Sequence, residues 1–147
     1  MDILLKSIGT IYSPFNEKEQ TPIQSSRSQA IGRIEVEPEF VEGLQDIEGF
    51  SHIILLYVFH RAANYTLKVN PFLDDQLHGV FSTRYPDRPN SLGLSVVRLL
   101  ARRENILDIE GVDVLNETPL LDLKPYVPEF DIHEATRLGW YASRRYT

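Results

Sequence analysis

The chain has no cysteine, one methionine and one tryptophan in 147 residues. The missing cysteine excludes a disulfide framework, a thiolate metal site and thiol nucleophile chemistry, and it suits a reducing cytoplasm. Long apolar runs are also missing. The longest, Ile53-Ile54-Leu55-Leu56-Tyr57-Val58-Phe59, falls far short of the roughly 20 residues a membrane helix needs, and no cationic segment leads into an apolar one at the N-terminus. The expectation is a soluble cytoplasmic protein with no membrane partner. Basic charge is scarce: 15 Lys and Arg against 21 Asp and Glu leave a net charge of −6, which excludes a basic coat for nucleic acid without excluding a local patch. There is no phosphate loop ending in Gly-Lys-Ser/Thr, no Gly-x-Gly-x-x-Gly, no His-Glu-x-x-His and no Gly-x-Ser-x-Gly, so the commonest enzyme signatures are absent.

What is present reads as one folded domain. Hydrophobic residues make up 42% and charged residues 24%, and a chain of this length buries roughly two-thirds of its unfolded surface. Short apolar or alternating runs punctuated by Gly, Pro and Asn predict many strands and few helices. Strands are expected around Ile8 to Tyr12, Ala30 to Val36, Ser51 to Phe59, Gly79 to Thr83, Leu92 to Leu100, Ile106 to Ile109 and Thr118 to Asp122. Pro38 to Leu44 predicts a short helix ending near Gly49, residues 16–29 a long loop, and residues 61–78 irregular chain. The strand at 51–59 is apolar at both parities, as expected when both faces are covered, in a barrel wall or under a partner subunit. The fold class is therefore all-β: a closed or nearly closed antiparallel barrel with small helical decorations, its core over residues 1–128 and a C-terminal extension over 129–147.

Several groups can carry chemistry. His52 and His60 flank the apolar strand roughly 26 Å apart at 3.3 Å per residue, so they cannot share a metal. Each reads as a strand-end histidine bonded to backbone, with a functional role open for His60. Arg84, Arg88, Arg98, Arg102 and Arg103 meet only Asp87 and Glu104 nearby, either as ordinary solvated side chains or as a local basic surface. Four segments mix polar and charged residues, Thr21 to Gln24, Phe59 to Arg61, Thr83 to Asn90 and Asn116 to Pro119, and Pro22, Pro86, Pro89 and Pro119 stiffen three of them, making either tight turns or rigid pocket walls that order at little entropic cost. Asp122, Lys124 and Tyr126 alternate along an extended stretch and project to one side. They read as a surface ion pair with a neighbouring phenol, or as a pocket able to hold a zwitterion or move a proton.

Together these segments resemble the TsaA-like, TrmO-type tRNA methyltransferase family. The resemblance rests on Ser13-Pro14-Phe15, Pro22-x-Gln24, Phe50-Ser51-His52, Phe59-His60, Gly79-Val80-Phe81-x-Thr83-Arg84, Arg88-Pro89-Asn90, Gly93-x-Ser95 and Thr118-Pro119-Leu120-Leu121-Asp122-x-Lys124-Pro125-Tyr126, in order and at matching spacing. It implies a dimeric barrel that binds S-adenosyl-L-methionine near the subunit interface and methylates N6 of threonylcarbamoyl adenosine beside the anticodon of tRNA, without a metal. Donor contacts carry over to Pro22, Ile23, Gln24, His60, Arg61, Arg84, Leu94, Asn116, Glu117, Thr118 and Pro119. Asp122, Tyr126 and His60 are the candidate bases, with Lys124 lowering the phenol's pKa or holding a carboxylate. Arg88, Arg98, Arg102 and Arg103 are candidates for RNA phosphates. The chain departs from the family in having Ser91-Leu92 after Arg-Pro-Asn, and Glu117 where a glycine is usual; a side chain there penalises positive φ and predicts a shifted donor loop. The competing reading is a barrel that senses S-adenosyl-L-methionine without catalysis.

Overall fold

The computed structural model describes residues 1–22, 28–71 and 74–143. The chain divides into two compact units, Met1–Arg61 with Leu92–Tyr126, and Ala62–Ser91 with Val127–Thr147.

The first unit is a closed antiparallel barrel of six strands: β1 (Gly9–Tyr12), β2 (Ile31–Val36), β3 (His52–Val58), β6 (Leu92–Arg103), β7 (Ile106–Glu110) and β8 (Thr118–Pro125), in the spatial order β1-β2-β7-β6-β3-β8. Period-two alternation decides which side chains go inside. Ile11, Ile34, Ile53, Leu55, Leu107, Ile109 and Leu120 are buried at the centre, each stabilising the fold by roughly 1.5–3 kcal/mol. Closure pairs each of these six strands on both sides. Glu104, at φ 55°, turns β6 into β7, and Asn105 donates from Nδ2 to the Val36 carbonyl at 2.9 Å, tying that hairpin to β2.

β3 differs from its expected two-faced burial. Ile53, Leu55 and Tyr57 are buried inside, whereas Ile54, Leu56 and Val58 are half-exposed outside. Opposite them on β6 stand Val96, Leu94 and Leu92 in register, so the outer β3–β6 face is an apolar stripe. Pro38–Leu44 and Ile47–Gly49 form 3₁₀ turns in the stretch predicted as a helix.

In the second unit, residues 61–78 hold a strand the sequence did not reveal. β4 (Lys68–Val69) pairs with β5 (His78–Gly79) as a two-stranded ribbon. The strand expected over Gly79 to Thr83 stops at Gly79 and becomes a 3₁₀ turn, Val80–Ser82. Hydroxyls cause this: Ser82 Oγ donates to the Gly79 carbonyl and Thr83 Oγ1 to the Val80 carbonyl, both at 2.8 Å, in competition with a sheet ladder. A short helix, α1 (Pro128–Asp131), and a 3₁₀ turn at Gly139–Ser143 follow β8.

Because every neighbouring pair in the barrel is antiparallel, strand ends alternate between its two rims. The connections 13–30, 59–91 and 111–117 leave from one rim, called upper here, while 37–51 and 104–105 occupy the lower.

Candidate functional site

That alternation sorts the site residues. Pro22 lies in the β1–β2 connection, His60 and Arg61 follow β3, Leu94 stands near the start of β6, and Asn116 to Pro119 lead into β8, so all belong to the upper rim. Ile23 and Gln24 lie outside the described residues. Arg84 is exposed on the second unit.

The 111–117 segment crosses the upper rim and is held by a run of short hydroxyl bonds. Ser28 Oγ donates to the Val112 carbonyl, Ser95 Oγ to Asp113 Oδ1, Ser13 Oγ to the Val114 carbonyl and Thr118 Oγ1 to the Leu115 carbonyl, each at 2.6 Å. Asn116 is held from both sides, its Oδ1 accepting from Ser13 N at 3.1 Å and its N–H donating to the Phe15 carbonyl at 2.7 Å. Val112 and Val114 meanwhile enter the core. Under these constraints Glu117 adopts φ 68° despite its side chain, a conformation that costs a non-glycine residue of order 1 kcal/mol and persists only where its surroundings over-determine it. Positive φ at this position thus needs no glycine.

Beneath the segment, Tyr57 and Ser95 oxygens lie 2.7 Å apart. Ser95 spends its one hydrogen on the Asp113 carboxylate, so Tyr57 is the donor to Ser95, and the chain Tyr57–Ser95–Asp113 is polarised toward the crossing segment. Gly93 makes room for this: a Cβ there would stand 2.7 Å from the Tyr57 ring and 2.8 Å from Phe59.

His60 is tuned by its place. Local desolvation is the first cause that lowers its imidazole below the ordinary value, the Arg61 charge adds to that, and the Glu117 carboxylate opposes both. A neutral imidazole able to accept a proton therefore stands at the same rim as the crossing segment.

Asp122, Lys124 and Tyr126 run down β8 toward the lower rim, with Asp122 still at mid-barrel, opposite Leu56 and so level with Leu94. Lys124 Nζ contacts Asp122 Oδ2 at 2.9 Å, and both side chains are substantially exposed. Tyr126 donates its backbone N–H to the His52 carbonyl at 3.1 Å and sets its ring edge-on to His52 at 6.2 Å, so it belongs to the lower rim. Eight residues of extended chain separate Thr118 from Tyr126, about 26 Å, so one barrel does not join them. Asp122 and Lys124 instead border a cavity of about 520 Å³ whose wall includes Phe40, Leu44 and Ile47.

Most of the arginines considered for RNA are engaged within the protein. Arg88 Nη1 donates to the Thr83 and Tyr85 carbonyls at 2.9 and 3.2 Å; Arg102 bonds the Glu104 and Leu44 carbonyls and Glu48; Arg103 grips Asp108 through two nitrogens. That grip is the main reason the Asp108 carboxyl lies below its usual range. Sequence reasoning missed Arg33, whose guanidinium stacks on Tyr12 at 4.3 Å beside an upper-rim cavity of about 500 Å³. It also missed the roles of Ser28 and Asp113, which no local motif marks; Ser13 and Ser95 stood inside motifs, but their partners lie far away in sequence.

Comparison with known proteins places this arrangement. Residues 10–132 match the family model described as the tRNA-methyltransferase O N-terminal domain. A Pyrococcus abyssi protein named as a probable S-adenosyl-L-methionine-binding protein is 58% identical over 139 residues, covering 94% of this chain and 76% of that protein. The human tRNA (adenine(37)-N6)-methyltransferase is 36% identical over 140 residues, but the match covers 88% of this chain and only 31% of the human enzyme. The crystal structure of TrmO from Pseudomonas aeruginosa superposes with a TM-score of 0.79 at 40% identity, over 95% of this chain and 62% of that one. The family model spans most of the chain and the solved relative shares its fold at substantial identity; the chain belongs to the tRNA-methyltransferase O family.

Proposed function

We propose that the protein is an S-adenosyl-L-methionine-dependent methyltransferase acting on N6 of the adenosine at position 37 of tRNA, in its threonylcarbamoyl form. The observation that carries this reading is the gathering of Pro22, His60, Leu94 and the rigidly held Asn116–Pro119 segment at one rim of a barrel whose family includes such enzymes. The donor set suits the ligand: the Glu117 carboxylate favours a cationic sulfonium and ammonium, and exposed Leu94 offers apolar contact. Arg84, Ile23 and Gln24 join the donor contacts on the resemblance alone.

The donor, when bound, supplies an electrophilic methyl group, so the protein's work is alignment and exclusion of water. The acceptor nitrogen carries a carbonyl and is a poor nucleophile until its proton leaves. As the new N–C bond forms and the S–C bond breaks, that proton passes to a base. Asp122, Tyr126 and His60 are the proposed bases, with Lys124 ion-paired to Asp122. A homodimer reconciles the separation of Tyr126 from the upper rim. The apolar stripe of Ile54, Leu56, Val58, Leu92, Leu94 and Val96 suits a second copy. A two-fold axis lying in that face, across the strands, brings one copy's Lys124–Tyr126 end to its partner's upper rim. The proposed compartment is the cytoplasm; among the described residues no helix is long and apolar enough to cross a membrane.

The distance between the two groups within one chain also favours a second reading, a barrel that binds the donor without transferring its methyl. Incubation with methyl-labelled donor and bulk tRNA decides between them. Label recovered in a threonylcarbamoyl adenosine derivative supports the enzyme, and tight donor binding without transfer supports the sensor.

A further inference from the structure

The second unit holds a cluster that the reading above does not use. Trp140, the chain's one tryptophan, stacks its indole on the His78 ring at 4.9 Å with the planes 17° apart. Its Nε1–H donates to the Ser82 carbonyl at 2.8 Å. His78 is held in turn: a carboxylate only accepts, so His78 Nε2–H donates to Asp74 Oδ2, at 2.7 Å, and the Asp74 side chain is only 4% exposed. Tyr141 packs edge-on against the indole at 6.0 Å. Ring plane and donor direction are both fixed, and the target of that donor is a carbonyl two residues before Arg84.

The other side of Arg84 is held as firmly. Tyr85 N–H donates to Thr83 Oγ1 at 3.2 Å, and Arg88 ties the Thr83 and Tyr85 carbonyls together. Asp87 accepts from the Ala63 N–H at 2.8 Å, fastening the proline turn to the chain that follows β3. The backbone around Arg84 is thus clamped between Trp140 upstream and Arg88 downstream, while the Arg84 side chain is exposed.

We propose that Trp140 is a positioning residue for Arg84: by gripping the Ser82 carbonyl and stacking on His78, the C-terminal segment sets the backbone from which Arg84 meets the methyl donor. The inference rests on the donor-binding reading of Arg84 and adds to it a residue 56 positions away, outside the span matched by the family model. Bond and stack have separable roles. Trp140→Phe keeps a stacked ring and removes the bond to Ser82, whereas Trp140→Ala removes both.

The test uses the full chain and S-adenosyl-L-methionine itself, with affinity read by calorimetry. Trp140→Ala is expected to weaken donor binding about tenfold, roughly one lost hydrogen bond's worth, with Trp140→Phe in between. In transfer assays KM for the donor rises while kcat holds, the pattern of lost uniform binding. The decisive measurement is a double-mutant cycle: in an Arg84→Ala background, Trp140→Ala has no further effect on affinity. Saturating donor also shifts wild-type tryptophan emission, which comes from Trp140 alone. Additive losses in the cycle, or Trp140→Ala and Trp140→Phe both binding donor within twofold of wild type, overturn the proposal and leave the methyltransferase reading intact. Wild-type protein that binds no donor overturns both.

Discussion

Replacing Ser95 by alanine tests whether the polarised chain under the crossing segment holds the upper rim together. Ser95 is 2% exposed and bridges Tyr57 Oη, at 2.7 Å, and Asp113 Oδ1, at 2.6 Å. Alanine removes one neutral hydrogen bond, worth about 1 kcal/mol, and one to a carboxylate, worth about 1.5–3 kcal/mol, for a loss of about 3 kcal/mol. For a domain of this size that lowers Tm by roughly 6–12 °C. Urea denaturation with an unchanged m-value should show the same loss in the midpoint. Tyr57→Phe, which removes the upstream donor and keeps the ring, should cost about 1 kcal/mol, so the order of the two variants tests the direction of the chain as well as its strength. The same Ser95→Ala protein should bind donor more weakly, because Asp113 no longer anchors the segment leading to Asn116 and Thr118. A loss below about 1 kcal/mol for Ser95→Ala, or a larger loss for Tyr57→Phe, refutes the reasoning.

Other consequences are as direct. Gly93→Ala forces a methyl against Tyr57 and Phe59 and should destabilise by about 1–3 kcal/mol in thermal melts, the range for overpacking. Glu117→Gly relieves the positive φ at some cost in unfolded-chain entropy, for a net gain of about 0.5–1 kcal/mol by chemical denaturation. The same variant removes the carboxylate that supports a charged His60, so NMR titration should find the imidazole lowered further. His60 in the folded protein already takes up its proton at lower pH than in the unfolded chain. The unfolded state therefore binds more protons below the ordinary value of 6.5, and His60's contribution to stability falls as pH drops through that window. Stability against pH for wild type and His60→Gln should diverge there and run parallel above it. Arg103→Ala should raise the Asp108 carboxyl toward its ordinary range by NMR titration with little change in Tm, since both side chains face water.

The barrel was legible because its evidence is local. Alternation in Ile31 to Val36 and in Ile106 to Ile109, with turn residues at Glu104-Asn105, predicts strands and a hairpin wherever the partners lie, and β2, β7 and the β6–β7 turn follow. Burial of β3 was harder. Apolar residues at both parities say that the outer face is apolar, not that this chain covers it, and Leu94 at 50% exposure shows that it does not. The ribbon at Lys68–Val69 has two residues per strand, too few for any period to register. Gly79 to Thr83 misled because hydroxyl bonds to the carbonyl three residues back leave no trace in hydropathy. Within the site, motifs named Ser13, Ser95, Asn116 and Thr118 but not their bonds, which join residues up to 103 apart in sequence.

The position of Asp122, Lys124 and Tyr126 follows from strand parity and carries a consequence for the chemistry. An extended strand that enters at the upper rim must deliver residues eight positions later to the lower rim, so a motif contiguous in sequence is split in space by about 26 Å. Within one copy Tyr126 stands at the rim opposite the proposed donor site, whereas Asp122, four residues after Thr118, lies opposite Leu56 and level with Leu94. If Tyr126 takes part in methyl transfer, it does so for the neighbouring copy, and activity then depends on association. Dilution separates this arrangement from catalysis within one copy. Specific activity should fall at protein concentrations where sedimentation shows monomer, and Val96→Glu, which puts a charge into the apolar stripe beside Ile54 and touches no proposed donor contact, should give monomer lacking transfer. Mixing a Tyr126→Phe variant with a His60→Ala variant should restore a quarter to a half of the wild-type rate if each copy lends its lower rim to the other's upper rim. Full activity in a Val96→Glu monomer refutes shared sites and returns the base to Asp122 or His60 of the same copy.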